Sequence, residues 1–122
     1  MNENPGPEFF ERIALVLKAM ADPVRLRLLN VLQSGELCVG DLVERIGTSQ
    51  ANISKHLGVL KRAGLVSCRR DGHMILYAIE DPAIFGICGA VSQSIERRLV
   101  VEQRIMQASP RHFNEGTRSS NA

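Results

Sequence analysis

The segment from Gly47 to Gly64 constrains the fold of this chain more than any other. It places Ile53, Leu57 and Leu60 at positions i, i+4 and i+7, the spacing that brings apolar side chains to one face of an α-helix. Hydroxyl residues suited to capping a helix precede this stripe, and Gly64 suits the left-handed position that follows a helix. The segment therefore predicts a helix with one buried face and one polar face.

The polar face of this helix has neutral donors and acceptors near its start and cations near its end. A helix that enters the DNA major groove has this division, because amides and hydroxyls read base edges while cations hold phosphates. An amphipathic surface helix without a ligand would show the same pattern, so the neighbouring segments are needed to distinguish these two interpretations. The polar residues are Gln50, Asn52, Ser54, Lys55, Lys61 and Arg62.

The charge of the chain is concentrated in the same region. Residues 48–73 hold five cations and one anion, a net charge of +4, whereas the remaining residues carry −2. A basic window of this kind is the electrostatic footprint expected for a polyanion partner. Aromatic residues make up only 4% of the 122 residues, which argues against a single-strand binder that stacks bases.

The residues upstream predict three helices. An apolar stripe over residues 8–20 indicates the first, and Asp22-Pro23 is a capping residue followed by a first-turn proline that starts the second. A third, short helix is predicted over about 39–46. The turn at Gly47-Thr48 then leads into the polar-faced helix, so the last two helices form a helix-turn-helix.

After Gly64 the apolar period changes to about two, which predicts strands over residues 65–70 and 73–79. Asp71-Gly72 between them is a strong two-residue hairpin turn. Arg69 and Arg70 lie near the tip of this hairpin. Charged residues also protect edge strands from aggregation, but beside a basic helix we favour a wing that contacts the phosphate backbone.

A long last helix is predicted over about 83–106, beginning at Asp81-Pro82. Its apolar stripe is too long to be buried within a small domain and predicts a dimer interface. We expect a flexible N-terminus at residues 1–7, one domain at 8–107 and a disordered tail at 108–122. The predicted interface residues are Ile84, Ile87, Cys88, Val91, Ile95 and Leu99.

Together these elements predict a mainly α fold with a small β-hairpin, a winged helix-turn-helix. Four motifs, at residues 22–29, 35–42, 49–57 and 60–66, resemble in order the ArsR/SmtB family of prokaryotic transcriptional repressors. The resemblance extends over about residues 8–106. It implies a homodimer through the first and last helices, bound to an inverted-repeat operator in double-stranded DNA and released by an effector or by thiol modification.

The expected DNA contacts combine this resemblance with the polar face. His56 comes second in line, since it lies beside the buried stripe and a packing or helix–helix hydrogen-bonding role is at least as well supported. Groove contacts are expected from Ser49, Gln50, Asn52, Ser54 and Lys55, and backbone contacts from Lys61, Arg62, Arg69, Arg70 and His73.

The third and last helices lack the metal-binding motifs of well-known sensors in the family. Arsenic-sensing members of the family carry Glu-Leu-Cys-Val-Cys-Asp-Leu, whereas residues 36–42 of this chain have Gly40 in place of the second cysteine. Val43 occupies the position of a third thiol, so the local three-sulfur arsenite site cannot form from this element alone. Zinc and cobalt sensors use the last helix, but residues 83–106 contain no histidine, and Glu96 with Glu102 would make a poor zinc site.

The three cysteines remain as candidates for sensing. Cys38 is expected at the start of the third helix, where the helix dipole favours a thiolate. Cys88 lies on the apolar stripe, where a small hydrophobe in a dimer interface is the better interpretation. Cys38 with Cys68 or Cys88, within one chain or across the two subunits, could bind a soft metal or an arsenite-like metalloid, or form a regulatory disulfide. An effector that does not touch cysteine is an equal alternative, and no cofactor is assigned.

Other classes are disfavoured. The sequence lacks a glycine-rich phosphate loop, a nucleophile elbow and a metalloprotease helix motif, so no enzyme is expected. It has no run of about 18 apolar residues and no signal peptide, which favours a cytoplasmic protein without a membrane partner. The alternative function is a winged-helix protein-interaction module without sequence-specific DNA binding.

Overall fold

The computed structural model describes the backbone of residues 4–121 and the side chains of residues 4–107. The chain divides into two compact units, residues 1–82 and residues 83–122, and each is described by itself. In chain order the elements are α1 (Pro7–Met20), α2 (Pro23–Leu32), β1 (Leu37–Cys38), α3 (Val39–Ile46), α4 (Gln50–Arg62), β2 (Val66–Asp71), β3 (Met74–Ile79) and α5 (Ile84–Asn121).

The helix starts and ends follow from local chemistry. Asp22 caps α2, since its Oδ1 accepts hydrogen bonds from the backbone N–H groups of Val24 at 2.8 Å and Arg25 at 3.1 Å. The Arg25 N–H bond is the main reason that the pKa of Asp22 lies below its ordinary value. After α3, Gly47 takes φ = 81°, a left-handed conformation that glycine adopts without strain, and the chain turns there into α4.

The core of the first unit is built mainly from leucine and isoleucine side chains of α2, α3 and α4. Full burial of one such side chain stabilises a fold by roughly 1.5–3 kcal/mol, so this cluster is the main force that holds the three helices together. The largest fully buried side chains are Leu28, Leu29, Leu32, Leu42, Ile53, Leu57 and Leu60.

The sheet has three antiparallel strands in the order β1-β3-β2, one more than the sequence predicted. The extra strand, β1, is two residues long, too short to show an alternating pattern. Asp71 pairs with Met74, so the hairpin loop is Gly72-His73, and the predicted turn at Asp71-Gly72 was one residue too early. Gly72 supplies the positive φ of this loop, at 63°.

The second unit is α5, whose bounds extend beyond the expected end near Met106. Ile87, Val91, Ile95 and Leu99 are exposed along it, whereas the predicted interface residue Ile84 is buried within the chain. The tail expected at 108–122 lies outside the residues whose side chains are described, as do residues 1–3 of the expected flexible N-terminus, so these domain limits stay predictions. Among the described residues, no helix combines the length and apolar character needed to cross a bilayer.

Candidate nucleic-acid interface

The start of α4 is fixed by side chains that were expected to read DNA. Ser49 is the N-cap, and its Oγ accepts a hydrogen bond from the backbone N–H of Asn52 at 3.1 Å. The Asn52 side-chain Nδ2 in turn donates to Thr48 Oγ1 at 3.2 Å. Both residues therefore help to hold the helix start, while the carbonyl oxygen of the Asn52 amide keeps its acceptor capacity.

The apolar stripe of α4 is buried, so the helix turns its polar side chains outward. Ile53, Leu57 and Leu60 are 0% exposed. Gln50, Ser54 and Lys55 are exposed on the other side of the helix. Exposed amide, hydroxyl and ammonium groups on one rigid helix are the groups that recognise base edges and phosphates.

His56 lies in the core, and its assignment as a DNA contact was wrong. Its side chain is only 6% exposed, and its Nδ1 lies 3.0 Å from Nη1 of Arg25 on α2. Because arginine can only donate, Nδ1 is the acceptor and the imidazole carries its proton on Nε2. The alternative role, a hydrogen bond between helices, is the one that the structure supports.

The two wing arginines differ. Arg69 forms a two-pronged ion pair with Glu36, with Nε donating to Oε2 at 3.0 Å and Nη2 donating to Oε1. This pair lowers the pKa of Glu36 and raises the pKa of Arg69. Arg70 is exposed and has no ion pair within the described residues, and His73 is exposed in the hairpin loop. Arg70 and His73 are therefore available to a phosphate, whereas Arg69 is held by its own chain.

The end of α4 is tied to the wing by a second contact. Lys61 Nζ donates to Cys68 Sγ at 3.1 Å, and this hydrogen bond raises the pKa of Lys61. Cys68 lies opposite Tyr77 in the sheet, where burial raises the pKa of the phenol. Lys61 is thus engaged within the chain, while Arg62, the next cation, is exposed.

The cysteines do not form the predicted site within the first unit. Cys38 stands at the N-cap of α3, and its S–H donates to Asp41 Oδ2 at 3.3 Å. Cys38 and Cys68 lie on the two outer strands with β3 between them. Two strand spacings separate their backbones by roughly 9–10 Å, beyond the reach of a disulfide.

Cys88 belongs to the second unit. The described side chains contain no cluster of three or more His, Cys, Asp or Glu residues that could hold a metal ion.

Several residues make contacts at this surface that the sequence alone does not predict. Glu36 and Asp41 were noted only as members of a motif, yet they bind Arg69 and Cys38. Arg25 lies within the motif at residues 22–29, where nothing indicates that it bonds with His56. The spacing Asp22-x-x-Arg25 could have suggested a capped helix start that also positions an arginine.

An exposed polar helix, the second of a helix-turn-helix, followed by a basic β-hairpin defines a winged helix-turn-helix protein. The model of the bacterial regulatory protein arsR family matches residues 22–67, from the α2 cap into β2. The chain is 39% identical over 87 residues to the biofilm growth-associated repressor of Agrobacterium fabrum, covering 68% of this chain and 74% of that protein. It belongs to the ArsR family.

Two further comparisons agree. The chain is 43% identical over 76 residues to the nodulation protein NolR of Rhizobium meliloti, and the match spans 62% of each chain. A solution structure of the homodimeric winged helix-turn-helix DNA-binding domain Mb0332 from Mycobacterium bovis superposes with a TM-score of 0.69 at 28% identity. That match covers 81% of this chain and 94% of the domain.

Proposed function

We propose that this protein is a transcriptional repressor that binds double-stranded operator DNA, with α4 in the major groove and the β2–β3 wing on the phosphate backbone. One observation carries the proposal: the apolar stripe of α4 is fully buried, which turns Gln50, Ser54 and Lys55 outward on a capped helix. Membership of the ArsR family and the repressor among its relatives support the same function.

The repressor acts as a homodimer in this proposal. The Mb0332 domain is homodimeric, and large apolar side chains of α1 and α5 are exposed in the single chain of this protein. A second copy would cover them. A two-fold dimer presents two copies of α4 about 34 Å apart, one turn of DNA, which is why the operator is expected to be an inverted repeat. The exposed residues include Phe9, Phe10, Ile13, Leu17, Ile87, Val91, Ile95 and Leu99.

The contacts divide by chemistry. Base edges are read by Gln50, Ser54 and the free carbonyl of Asn52, with Ser49 at the helix start. Phosphates are held by exposed cations and by the loop histidine. Lys61 and Arg69 can bind phosphate oxygens only after they release their present partners, Cys68 and Glu36. Lys55, expected in the groove from the sequence, is assigned here to a phosphate because its ammonium is a point charge without a directed base-reading geometry. The phosphate set that needs no such exchange is Lys55, Arg62, Arg70 and His73.

The effector in this proposal acts on a thiol, with Cys38 as the first candidate. A soft metal or metalloid binds the thiolate, so its binding would remove the proton that Cys38 shares with Asp41 and break that hydrogen bond. Cys38 also lies in β1, next to β3 of the wing. Loss of the bond would therefore act at the junction between α3 and the wing.

The test is fluorescence anisotropy of the full chain on the duplex upstream of its own coding sequence, with an unrelated duplex of equal length as the control. We expect binding to the upstream duplex to be tighter by about 10³-fold or more at physiological salt. Equal affinity for both duplexes would reject the repressor and favour the protein-interaction module.

The same complex tests the effector. Arsenite, a soft metal ion or an oxidant is added, and release from the duplex is followed. Cys38→Ser should abolish release, whereas Cys68→Ser should leave it intact. Unchanged release from Cys38→Ser would remove Cys38 from the sensor without affecting the assignment of DNA binding.

A further inference from the structure

Among the residues whose side chains the structure describes, His56 is the only polar one in the core. It belongs to α4, the proposed recognition helix, and its ring faces inward. A buried polar group is costly unless it is hydrogen-bonded, so an inward histidine on this helix depends on its partner. That partner is the Arg25 guanidinium, 3.0 Å away on α2.

Arg25 joins three elements through one planar group. Its Nε donates to the backbone carbonyl of Ala19, and its Nη2 donates to the carbonyl of Lys18 at 3.3 Å, both at the end of α1. Its Nη1 is left for His56 on α4. Because the donors of a guanidinium lie in one rigid plane, the two carbonyls of α1 fix the direction in which the third nitrogen points.

Asp22 completes the junction. Its Oδ1 caps α2 through the N–H groups of Val24 and Arg25, and the same oxygen lies 3.8 Å from His56 Nδ1. The carboxylate therefore sets the start of the helix that carries Arg25 and places a negative charge beside the guanidinium.

Inside the core the other contacts of α4 are apolar, and its Lys61–Cys68 hydrogen bond with the wing lies at the exposed end of the helix. Contacts made by Ile53, Leu57 and Leu60 are strong but non-directional, so they resist separation of the helices more than rotation of α4 about its own axis. A hydrogen bond weakens steeply when its angle is poor. Of the contacts that α4 makes inside the core, the Arg25–His56 bond is consequently the one best suited to fix the rotation of the helix.

We propose that Arg25 and His56 are positioning residues, which set the rotation of α4 and thereby decide which polar groups reach the base edges. This inference rests on the proposed function. Recognition tolerates errors of only about 0.5 Å or 10–20°, so a small rotation would lower sequence discrimination without removing any DNA contact. Each nitrogen of the Arg25 guanidinium already has an acceptor in the chain, which disfavours a second role on phosphate.

The experiment compares four variants of the full chain. His56→Asn keeps an acceptor near the position of Nδ1, and His56→Leu removes it. Arg25→Met removes the donors, and Arg25→Lys keeps the charge without the planar fork. Binding to the upstream duplex and to the unrelated duplex is measured across a salt series, and denaturant unfolding reports the folded fraction. Lys55→Ala is the matched control for a phosphate contact.

We expect His56→Leu and Arg25→Met to lower the ratio of specific to unrelated binding by roughly tenfold, the scale of one directed hydrogen bond, with an unchanged salt slope. His56→Asn should keep most of the ratio, and Arg25→Lys should be intermediate, so the pair remains testable if Arg25→Met fails to fold. Lys55→Ala should reduce the slope by about one and leave the ratio unchanged.

A salt slope lowered by about one in the Arg25 variants would make Arg25 a phosphate ligand and overturn the inference. Lower unfolding stability with an unchanged ratio in all four variants would overturn it as well, since the junction would then be structural only. A wild-type chain that does not distinguish the two duplexes would instead reject the proposed function, before any variant is compared.

Discussion

Helices α4 and α5 carry apolar stripes with the same spacing, but the stripes have opposite environments. On α4, Leu57 and Leu60 are 0% exposed, whereas on α5 Val91 is 54% and Leu99 is 50% exposed. Helical periodicity identifies an apolar face and does not say what covers it. The cover of α4 comes from its own chain, and the open face of α5 supports the proposed second copy.

The largest expected effect separates α4 from α5 by truncating one leucine on each helix. Leu57→Ala should lower the free energy of unfolding by about 2–5 kcal/mol, because it leaves a cavity in the core. Leu99→Ala should change the folding of each chain little and raise the dissociation constant of the dimer. Denaturant unfolding and sedimentation velocity measure the two quantities. Equal effects of both changes on unfolding, with no change in association, would contradict the contrast between the helices.

A smaller effect concerns the wing, where Glu36 holds Arg69 and leaves Arg70 free. The pKa of Glu36 is lowered by its hydrogen bonds with Arg69. A depressed pKa means that the pair stabilises the fold at neutral pH and that this contribution is lost as pH falls through the lowered pKa. Glu36→Gln should therefore flatten the acid limb of the stability profile at pH values below the ordinary pKa of a glutamate, where the lowered pKa of Glu36 lies.

The same variant frees Arg69 for DNA. We expect Glu36→Gln to steepen the salt dependence of DNA binding by up to about one unit, because one more cation becomes available to a phosphate. Asp41→Asn, which changes a neighbouring carboxylate that does not bind Arg69, is the matched control. A Glu36→Gln acid limb identical to that of the wild type would show that the ion pair does not contribute in solution.

The sequence predicts the periodic apolar stripes and the residues that begin or end helices. The stripe of Ile53, Leu57 and Leu60, the Asp22 cap and the left-handed Gly64 follow from local spacing, and the structure has each of them. These features depend on residues within a few positions of each other, so the sequence pattern contains the information that they require.

Features that depend on distant residues were missed or misplaced. β1 exists only because Leu37 and Cys38 pair with residues about forty positions later. His56 was a secondary candidate for DNA contact because it lies beside the buried stripe, which left a helix–helix hydrogen bond at least as well supported, and only the partner on α2 shows that it faces inward. The ion pair of Glu36 with Arg69 likewise joins residues 33 positions apart. The hairpin turn moved by one residue, since strand register depends on both strands.

The central claim is that α4 reads bases while the wing binds phosphates. It is tested most directly by Gln50→Ala and Arg70→Ala on the upstream duplex. Affinity is measured across a salt series, with single base-pair substitutions in each half-site. We predict that Gln50→Ala loses about 1–3 kcal/mol of discrimination at one base pair with an unchanged salt slope. Arg70→Ala should lower the slope by about one and keep the base preference. Changes in slope and base preference that do not separate between the two variants would contradict the account.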